Sequence, residues 1–358
     1  MLDLTEGNPA AAGLTEDGAW RAALAAAGTL RYEPAPRGLE SARRAVSAYY
    51  RERGVRIEPE DLVLTAGTSE SYAHLFRLLC DPGDTVLVPR PGYPLFEPLA
   101  AAEGVTTASY RLVRQEGRFV LDRESLAHAP STVRALIVVQ PNPPAGSLLD
   151  DGDLEYLDGW CAERDVALIS DEVFSAFPHL ATTDPRTELP SLLGGARRAT
   201  TFVLSGISKL CGLPQLKLGW IAVAGPGREH ALEGLEWISD LFLSVGTPVQ
   251  HALPEILETR HGFRERVLAR NAAHLAMLAA APGVTPWPAA GGWSAVVELP
   301  ARHDDEAWAL RLLERGVAVH AGHFYDLEEP SCIVVSLIAR PPEFAAGWQL
   351  LKETVTRF

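Results

Sequence analysis

The sequence predicts an α/β protein built from two lobes. Short apolar, β-branched runs alternate with longer helix-like stretches along most of the 358 residues, which is typical of strands followed by helices. The chain is also longer than the ~250–300 residues at which a single hydrophobic core stops growing. Its final third has strand and helix runs of its own, which indicate a separate, smaller α+β lobe.

The composition indicates which kinds of binding partner and which cellular compartment fit this chain. A hydrophobic fraction of 47% and a charged fraction of 22% are ordinary for a globular protein. The net charge of −14 and the pI near 5.2 argue against nucleic acid or an anionic membrane as the main partner. Residues 1–6 resemble no secretory leader, and no apolar run reaches the ~18 residues of a membrane span. The four separated cysteines are expected to be reduced thiols of a cytoplasmic protein.

The N-terminal part begins extended and continues into two predicted helices. The first covers residues 15–27 with Thr15 as its N-cap, and the second covers residues 39–54 and ends at its glycine. Between them, residues 31–38 form a proline-stiffened arm that contains Tyr32. Stiffness alone would make this arm a linker.

A small, hydroxylated turn follows the apolar run that begins at Leu62. At Gly67-Thr68-Ser69 the chain changes from strand to helix, and the helix is expected to continue to Cys80. Free backbone N–H groups and the helix dipole make such a turn attractive to anions. Threonine and serine also cap many helices that bind nothing, so the turn is a candidate anion site and no more.

Three further predicted strands, at residues 85–89, 134–139 and 166–170, end beside residues that could bind a ligand. Open parallel sheets bind ligands beyond the carboxyl ends of their strands. Tyr93 follows the first strand, where an aromatic ring could equally fill the core. Asp171 follows the third, and a carboxylate at the end of an apolar strand is costly unless a cation pairs with it. The alternative for Asp171 is a cap for the next turn.

A loop of small residues between two more apolar runs carries lysine. The loop covers residues 205–217, between the runs at residues 200–204 and 218–223. Only three of the 32 basic residues are lysines, and Lys209 and Lys217 both lie in this loop. A nucleophilic amine needs a desolvated position that lowers its pKa, and a loop between buried strands provides one. The alternative is that an arginine-rich chain simply retains a few lysines.

The rest of the chain is predicted as alternating elements. The expected helices cover residues 151–164, 228–243, 248–278, 304–315 and 342–355. The expected strands cover residues 293–299, 317–320 and 332–337. A hairpin is expected at residues 105–121, with its turn at 116–117, and a polar loop at residues 178–199. His320 and His323 hint at a metal. No carboxylate or thiol is in register with them, so no metal site is predicted.

The lysine loop resembles the pyridoxal-phosphate (PLP) signature of the class I/II aminotransferases. The matching pattern is Gly206-x-Ser208-Lys209-x-x-Gly212-Leu213-x-x-x-Lys217-Leu218-Gly219, and the resemblance extends over nearly the whole chain. It implies a fold-type I PLP-dependent enzyme, a homodimer with a mostly parallel, seven-stranded sheet. The large domain would cover residues 37–247. The small domain would comprise residues 1–36 and 248–358.

The resemblance also implies roles for the matching residues. Lys209 would hold PLP as a Schiff base and act as the base, Asp171 would keep the ring nitrogen protonated, and Tyr93 would stack on the ring. Lys217 would bind the phosphate where relatives use arginine, together with Tyr32 of the other subunit. The candidate cofactor-binding residues are Gly67, Thr68, Ser69, Tyr93, Asn142, Asp171, Phe174, Ser205, Ser208, Lys209, Lys217 and Tyr32, and the candidate substrate contacts are Asn8, Trp293, His323 and Arg340.

Three positions depart from the pattern of the family. Pro143 stands where relatives have an asparagine that donates to the cofactor O3′, and Phe174 where many have a tyrosine donor; Asn142 is a candidate substitute. The last strand carries no arginine at residues 333–337 for a substrate α-carboxylate. Arg340, beyond that strand, could swing in or belong to an exposed loop. The cofactor O3′ is therefore expected to be short of donors.

The function implied by the resemblance is transamination between an amino acid or related amine and a keto acceptor. The departures also favour another PLP reaction of a specialised biosynthetic pathway, such as elimination, β- or γ-replacement, decarboxylation or oxidation. A third alternative is a non-catalytic PLP-binding sensor. Such sensors carry a basic DNA-binding module, and no such module is recognised in these residues.

Overall fold

An eight-stranded sheet forms the centre of the protein. The computed structural model describes residues 1–15, 18–26, 32–179, 188–280 and 283–357. In chain numbering, the strands of this sheet are β2 (Leu62–Thr65), β3 (Thr85–Arg90), β4 (Thr106–Gln115), β5 (Arg118–Leu121), β6 (Val133–Val139), β7 (Ala167–Asp171), β8 (Thr201–Gly206) and β9 (Gly219–Ala224). Their order across the sheet is β2-β9-β8-β7-β6-β3-β4-β5.

Most of this sheet is parallel. Strands β4, β3, β6, β7 and β8 are parallel neighbours, whereas β9 is antiparallel to both β8 and β2. With β2 and β9 these strands make the mostly parallel, seven-stranded sheet expected from the family resemblance. The eighth strand, β5, pairs antiparallel with β4 after the predicted turn, where Glu116 and Gly117 both have positive φ, at 50° and 78°.

Helices follow most of the strands. They are α1 (Trp20–Leu24), α2 (Glu40–Glu52), α3 (Thr68–Leu79), α4 (Phe96–Ala102), α5 (Asp151–Glu163), α6 (Ile207–Leu210), α7 (Arg228–Asp240), α8 (Thr247–His251), α9 (Leu253–Glu258), α10 (Arg260–Ala279), α11 (Asp305–Glu314) and α12 (Pro341–Arg357). In α2 the residues Ala42, Val46, Tyr49 and Tyr50 are buried, because a spacing of three to four places them on one face.

The large sheet is buried on both faces. Leu62 and Leu64 of β2 pack into a core cluster that also holds α2, α5 and α10 residues, whereas Val63 packs with residues of α3, α4 and α7. Successive strand residues point to opposite faces, so a strand covered on both sides is apolar throughout. This burial holds the strand ends rigidly in place.

A smaller antiparallel sheet belongs to the C-terminal lobe. It contains β10 (Thr285–Pro286), β11 (Ser294–Glu298), β13 (His320–Ala321) and β14 (Cys332–Ser336), in the order β10-β11-β14-β13. The N-terminal strand β1 (Leu2–Asp3) pairs in parallel with β12 (Val317–Ala318). Leu4 is buried in the core cluster of this lobe, so the chain start is attached to its last third.

Two predicted helices differ from the observed ones. The helix expected at residues 15–27 is reduced among the described residues to α1, and Thr15 does not cap it, because its hydroxyl donates to the Gly212 carbonyl. The single helix expected at residues 248–278 is divided into α8, α9 and α10. Pro254 lies in the first turn of α9, and proline has no N–H to continue the hydrogen bonds of α8.

Part of the predicted polar loop at 178–199 cannot be compared, since residues 180–187 lie outside the described residues. Within the described part of the chain, the helices are too short or too polar to cross a bilayer.

Candidate active site

The ends of five strands meet along one edge of the large sheet. Strands β3, β6, β7 and β8 are parallel, and β2 has the same direction because β9 is antiparallel to both of its neighbours. Residues at these ends line a cavity, at the edge where open parallel sheets bind ligands. The lining residues are Gly67, Thr68, Ser69, Tyr72, Tyr93, Phe96, Leu99, Val139, Pro143, Asp171, Val173, Phe174, Gly206, Ser208, Lys209 and Leu218.

Lys209 lies in α6, the short helix that begins after Gly206 at the end of β8. Its Nζ is 5.0 Å from the centroid of the Trp293 ring and 5.7 Å from the centroid of the Phe174 ring. Burial lowers the pKa of Lys209, and the charge of Asp171 opposes this shift. The amine therefore loses its proton more readily than a surface lysine, which favours nucleophilic chemistry.

Asp171 is the last residue of β7 and is only 8% exposed. The Tyr72 hydroxyl donates to its Oδ2 at 3.0 Å, and the Val173 backbone N–H donates to its Oδ1 at 3.1 Å. Burial raises the pKa of Asp171 to about 6, although both hydrogen bonds and Lys209 act in the opposite direction. A carboxylate held this way is suited to a cationic group of a ligand.

Glycines shape the candidate anion site at the start of α3. Gly67 has φ 131°, and a Cβ added there would lie 3.8 Å from Lys217 Nζ, so the ammonium group faces this turn. A Cβ at Gly219 would approach the Gly67 Cα to 3.0 Å. Backbone N–H groups at a helix start and a lysine beside them suit a phosphate-sized anion.

Aromatic rings form much of the cavity wall. Tyr93 is exposed and meets Phe96 edge-on, with ring centroids 5.5 Å apart. Phe174 meets Trp293 in the same manner at 5.4 Å. Burial raises the pKa of Tyr93, with a smaller contribution from the charge of Asp171, so its phenol is neutral at physiological pH.

Three of the predicted cofactor residues, Asn142, Ser205 and Lys217, lie outside the lining of the cavity. The Asn142 Nδ2 donates to the Pro91 carbonyl at 2.8 Å, and its Oδ1 is buried without a partner. The adjacent Pro143 lines the cavity in its place and has no N–H and no polar side chain. Ser205 is buried within β8, where it pairs with a residue of β9.

Tyr32 is also absent from this lining. Its side chain is 76% exposed and lines a separate groove together with residues 243–245. The structure therefore places Tyr32 on the surface of its own chain, near the end of α7.

Of the four predicted substrate contacts, Trp293 lies beside Lys209. It is buried, and its Nε1 has no hydrogen-bond partner. Asn8 is exposed, and its Oδ1 accepts from the Ala10 backbone N–H.

The other two are engaged elsewhere. His323 Nδ1 lies 3.0 Å from Asp305 Oδ2, and Arg340 is exposed and donates through Nε to the Ala11 carbonyl at 2.7 Å. Neither lines the cavity. Across the described residues, no group of three or more histidine, cysteine or acidic side chains is arranged to hold a metal ion.

The sequence profile of the family described as aminotransferase class I and II matches residues 1–343. This chain belongs to the class I and II aminotransferases. The family resemblance inferred from the lysine loop is therefore confirmed, as is the fold-type I architecture, which the solved structures below share.

Curated relatives of this aminotransferase differ in activity. It is 31% identical over 227 residues to the S-alkyl-thiohydroximate lyase of Arabidopsis thaliana, covering 62% of this chain and 48% of the relative. It is 30% identical over 302 residues to the arginine–pyruvate transaminase of Pseudomonas aeruginosa, covering 81% and 73%. This chain also matches the nicotianamine aminotransferase 1 of rice. It spans about half the length of that protein and of the lyase, 48% of each.

Solved structures of other aminotransferases share the fold. The alanine aminotransferase of Pyrococcus furiosus superposes with a TM-score of 0.85 at 21% identity, covering 100% of this chain and 92% of the other. The tyrosine aminotransferase of Leishmania infantum superposes with a TM-score of 0.87 at 18% identity, covering 99% and 91%.

Class I and II aminotransferases use PLP, and the cavity of this chain fits that cofactor. Asp171 is a buried carboxylate that forms no ion pair among the described residues, which matches a protonated ring nitrogen. The glycine turn at the start of α3, with Lys217 beside it, matches a phosphate. Lys209 supplies an amine for the aldehyde.

Tyr72 is a site residue that was not predicted from the sequence. Tyr72 is buried and is hydrogen-bonded to Asp171, although the two residues are 99 positions apart. The available signal was helical spacing, since Tyr72 lies three residues after Ser69 and therefore on a similar face of α3.

Proposed function

We propose that this chain is a PLP-dependent aminotransferase that moves the amino group of an amino acid or related amine to a keto acceptor. The observation that carries the proposal is the pair of charged side chains on one cavity, the Lys209 amine and the buried Asp171 carboxylate. Opposite environmental effects on two titratable groups are typical of an acid–base site.

Lys209 and Asp171 have separate tasks in this proposal. When bound, PLP withdraws electrons from the substrate carbon that carries the amine. The Lys209 Nζ binds the cofactor aldehyde at rest and, once released, takes the proton from that carbon and returns a proton to the product side. Its lowered pKa favours both steps. Asp171 holds a proton on the ring nitrogen.

Tyr72 is proposed to position Asp171. Its hydroxyl donates to Oδ2, and a hydrogen bond to the ionised form favours ionisation. With Oδ1 satisfied by the Val173 N–H, the carboxylate has a defined orientation at the end of β7.

The remaining cofactor contacts are proposed for residues that line the cavity or adjoin it. Tyr93 would stack on the ring. The phosphate would be bound by Gly67, Thr68, Ser69, Ser208 and Lys217, with Ser205 behind them in β8.

We propose a cytoplasmic homodimer in which Tyr32 completes the site of the other subunit. Tyr32 is exposed and does not line the cavity of its own chain, which leaves it available to another subunit. The four cysteines are free thiols, as expected in a reducing compartment. The proposed division is a large domain of residues 37–247 and a small domain of residues 1–36 and 248–358, each with its own sheet.

A second candidate function is a PLP-dependent lyase or replacement reaction. Pro143 and Phe174 both line the cavity and offer no side-chain hydrogen-bond donor to the cofactor ring. The Asn142 side chain donates to the Pro91 carbonyl instead. The similarity to a plant lyase supports the same alternative.

Chemical labelling tests the proposal directly, because the chain contains only three lysines, Lys209, Lys217 and Lys352. Borohydride reduction of the PLP-loaded protein, followed by peptide mapping, should place the label on Lys209. Lys209→Ala should lose the label and Lys352→Ala, far along in α12, should keep it. A label on Lys217 would contradict the assignment.

The reaction type is tested with the same preparation. Amino donors should convert bound PLP to its amine form, and added keto acid should regenerate it. Release of ammonia with the cofactor unchanged would favour the lyase alternative.

A further inference from the structure

We infer that the amino donor of this enzyme is an apolar primary amine with no carboxylate on its amine-bearing carbon; this inference rests on the proposed function. The reason is the distribution of charge around Lys209. Among the residues that the structure describes, the charged side chains in the cavity lining are Lys209 and Asp171, and the rest of this lining is apolar, hydroxyl-bearing or glycine. Both charges already have a task in the proposed reaction.

One face of strand β14 is uncharged and packs into the core that contains Trp293. Its alternate residues Cys332 and Val334 belong to the core cluster that contains Trp293 and Leu210, the residue after Lys209. Ile333 and Val335 belong to the separate cluster of the small lobe. A side chain at position 334 is thus on the face of β14 that packs into the cluster with Trp293, opposite the face that packs into the cluster of the small lobe.

The neighbours of Val334 add no cation. Val334 pairs with Val296 of β11 on one side and with His320 of β13 on the other. Burial lowers the pKa of His320, which is therefore neutral at physiological pH, and its Nδ1 lies 2.9 Å from the Tyr325 hydroxyl. In the described part of the chain, these neighbours of Val334 supply no cation to pair with a carboxylate.

Two arginines near the end of this strand are held by backbone carbonyls of neighbouring segments. Arg340 donates to the Ala11 carbonyl, and Arg270 donates to the carbonyls of Ala12 and Ile338 at 2.7 and 3.0 Å. Neither arginine is part of the cavity lining. A carboxylate buried beside Phe174 and Trp293 would therefore lose its hydration without gaining a counter-charge.

A cationic amine, by contrast, suits the same surroundings. The rings of Trp293 and Phe174 already lie 5.0 and 5.7 Å from the Lys209 ammonium, within the range of cation–π attraction. Rings in this position attract an amine that carries one positive charge more strongly than an α-amino acid, whose carboxylate offsets that charge.

The proposed half-reaction is balanced. The C–N bond of the donor breaks, and the donor carbon loses two electrons and becomes an aldehyde or ketone. The nitrogen and the two electrons pass to the aldehyde carbon of the cofactor. The donor nitrogen would displace the Lys209 amine from the cofactor carbon, and one water would be consumed when the carbonyl product leaves.

The test compares two molecules that differ only in the carboxylate. The reduced phosphopyridoxyl adducts of 2-phenylethylamine and of phenylalanine are titrated calorimetrically into the cofactor-free full chain. The 2-phenylethylamine adduct should bind at least about tenfold more tightly, because the carboxylate of the other adduct has no counter-charge. Equal binding, or tighter binding of the phenylalanine adduct, would overturn the inference.

Two variants sharpen the comparison. Val334→Arg places a cation on the uncharged face and should reverse or abolish the preference for the amine adduct. If that variant does not fold, the comparison of the two adducts in the parent protein still tests the inference. Arg340→Ala tests the rival site, and selective loss of the phenylalanine adduct in this variant would place the carboxylate at Arg340 and contradict the inference.

The loaded enzyme separates this inference from the proposed function. If phenylalanine converts bound PLP to its amine form faster than 2-phenylethylamine does, the inference is wrong and the aminotransferase function stands. If neither amines nor amino acids convert PLP held on Lys209, the proposed function fails, and the inference fails with it.

Discussion

At the scale of single residues, burial decides the charges of the site. Asp171 is buried and Lys209 is half-buried, and burial shifts each toward its neutral form, raising the pKa of the acid and lowering that of the amine. Neither residue has a nearby protein partner strong enough to reverse the shift. The cavity thus holds two groups whose ionisation depends on what binds between them.

Asp171→Asn is predicted to stabilise the cofactor-free protein at neutral pH. The pKa of Asp171 is about 6 in the folded chain and ~3.9 in an unfolded one, so the folded state binds more protons between these values. The stability contributed by Asp171 therefore falls as pH rises from about 4 to about 6. Above that range the variant should be more stable by about 2–3 kcal/mol, and near pH 4 the difference should vanish.

Urea denaturation of the cofactor-free chain between pH 4 and 8 measures this effect. The control is Asp165→Asn, an exposed residue in a left-handed conformation that asparagine also adopts. Parallel pH profiles for the parent and Asp171→Asn would contradict the raised pKa. With PLP bound the sign should reverse, because the protonated ring nitrogen then pairs with the carboxylate.

At the scale of elements, close backbone contact between three loops shapes the phosphate site. Gly206 ends β8, Gly219 begins β9, and Gly67 precedes α3. A Cβ at Gly206 would lie 2.9 Å from the Gly219 Cα, and a Cβ at Gly219 would lie 3.0 Å from the Gly67 Cα, so the backbone leaves no space for a side chain at either position. The turn at the start of α3 and the lysine loop are consequently one packed unit.

Gly206→Ala is predicted to weaken both folding and PLP binding. Its Cβ would lie 2.9 Å from the Gly219 Cα and 2.9 Å from the Leu218 carbonyl oxygen, so strand backbone must shift. A loss of about 1–3 kcal/mol in unfolding free energy is expected from such overpacking. The dissociation constant of PLP, from fluorescence titration, should rise at the same time.

Gly246→Ala is the matched control, since only a proline carbon at 3.8 Å lies near its Cβ position and its φ is −60°. It should leave PLP binding unchanged. An equal effect of the two alanines would show that close packing of the glycines is not the cause.

At the scale of the whole molecule, one surface region is unusually apolar for a single chain. Trp237 and Leu241, at the end of α7, are each 76% exposed, and Phe242 beside them is also exposed. Tyr32 lies next to the following residues, 243–245, in one groove. A contiguous apolar surface of this kind is typical of a protein–protein interface and supports the proposed homodimer.

Leu241→Glu is predicted to weaken the dimer. Sedimentation of the parent at micromolar concentration should give twice the 38.7 kDa chain mass. The variant should shift toward the monomer and bind PLP less tightly, because Tyr32 of the other subunit is lost from the site. The control is Leu310→Glu, which adds the same charge at an exposed leucine of α11. A monomeric parent, or a dimeric Leu241→Glu, would argue against this interface.

The sequence by itself determined the features that contiguous residues encode. The alternation of strands and helices, the Gly67-Thr68-Ser69 turn, Asp171 at a strand end and the lysine loop were all predicted before their positions in space were known. Each depends on local periodicity, on turn chemistry or on a short motif, which act within a few residues of one another.

Only the tertiary structure decided how the side chains of separate segments meet. It paired Tyr72 with Asp171, turned Asn142 to Pro91 and left Pro143 in the cavity, attached Arg340 to the N-terminal segment, and divided the long predicted helix before α10. These outcomes depend on packing between residues that are tens to hundreds of positions apart. The direction of a side chain is set by that packing, and no local pattern contains it.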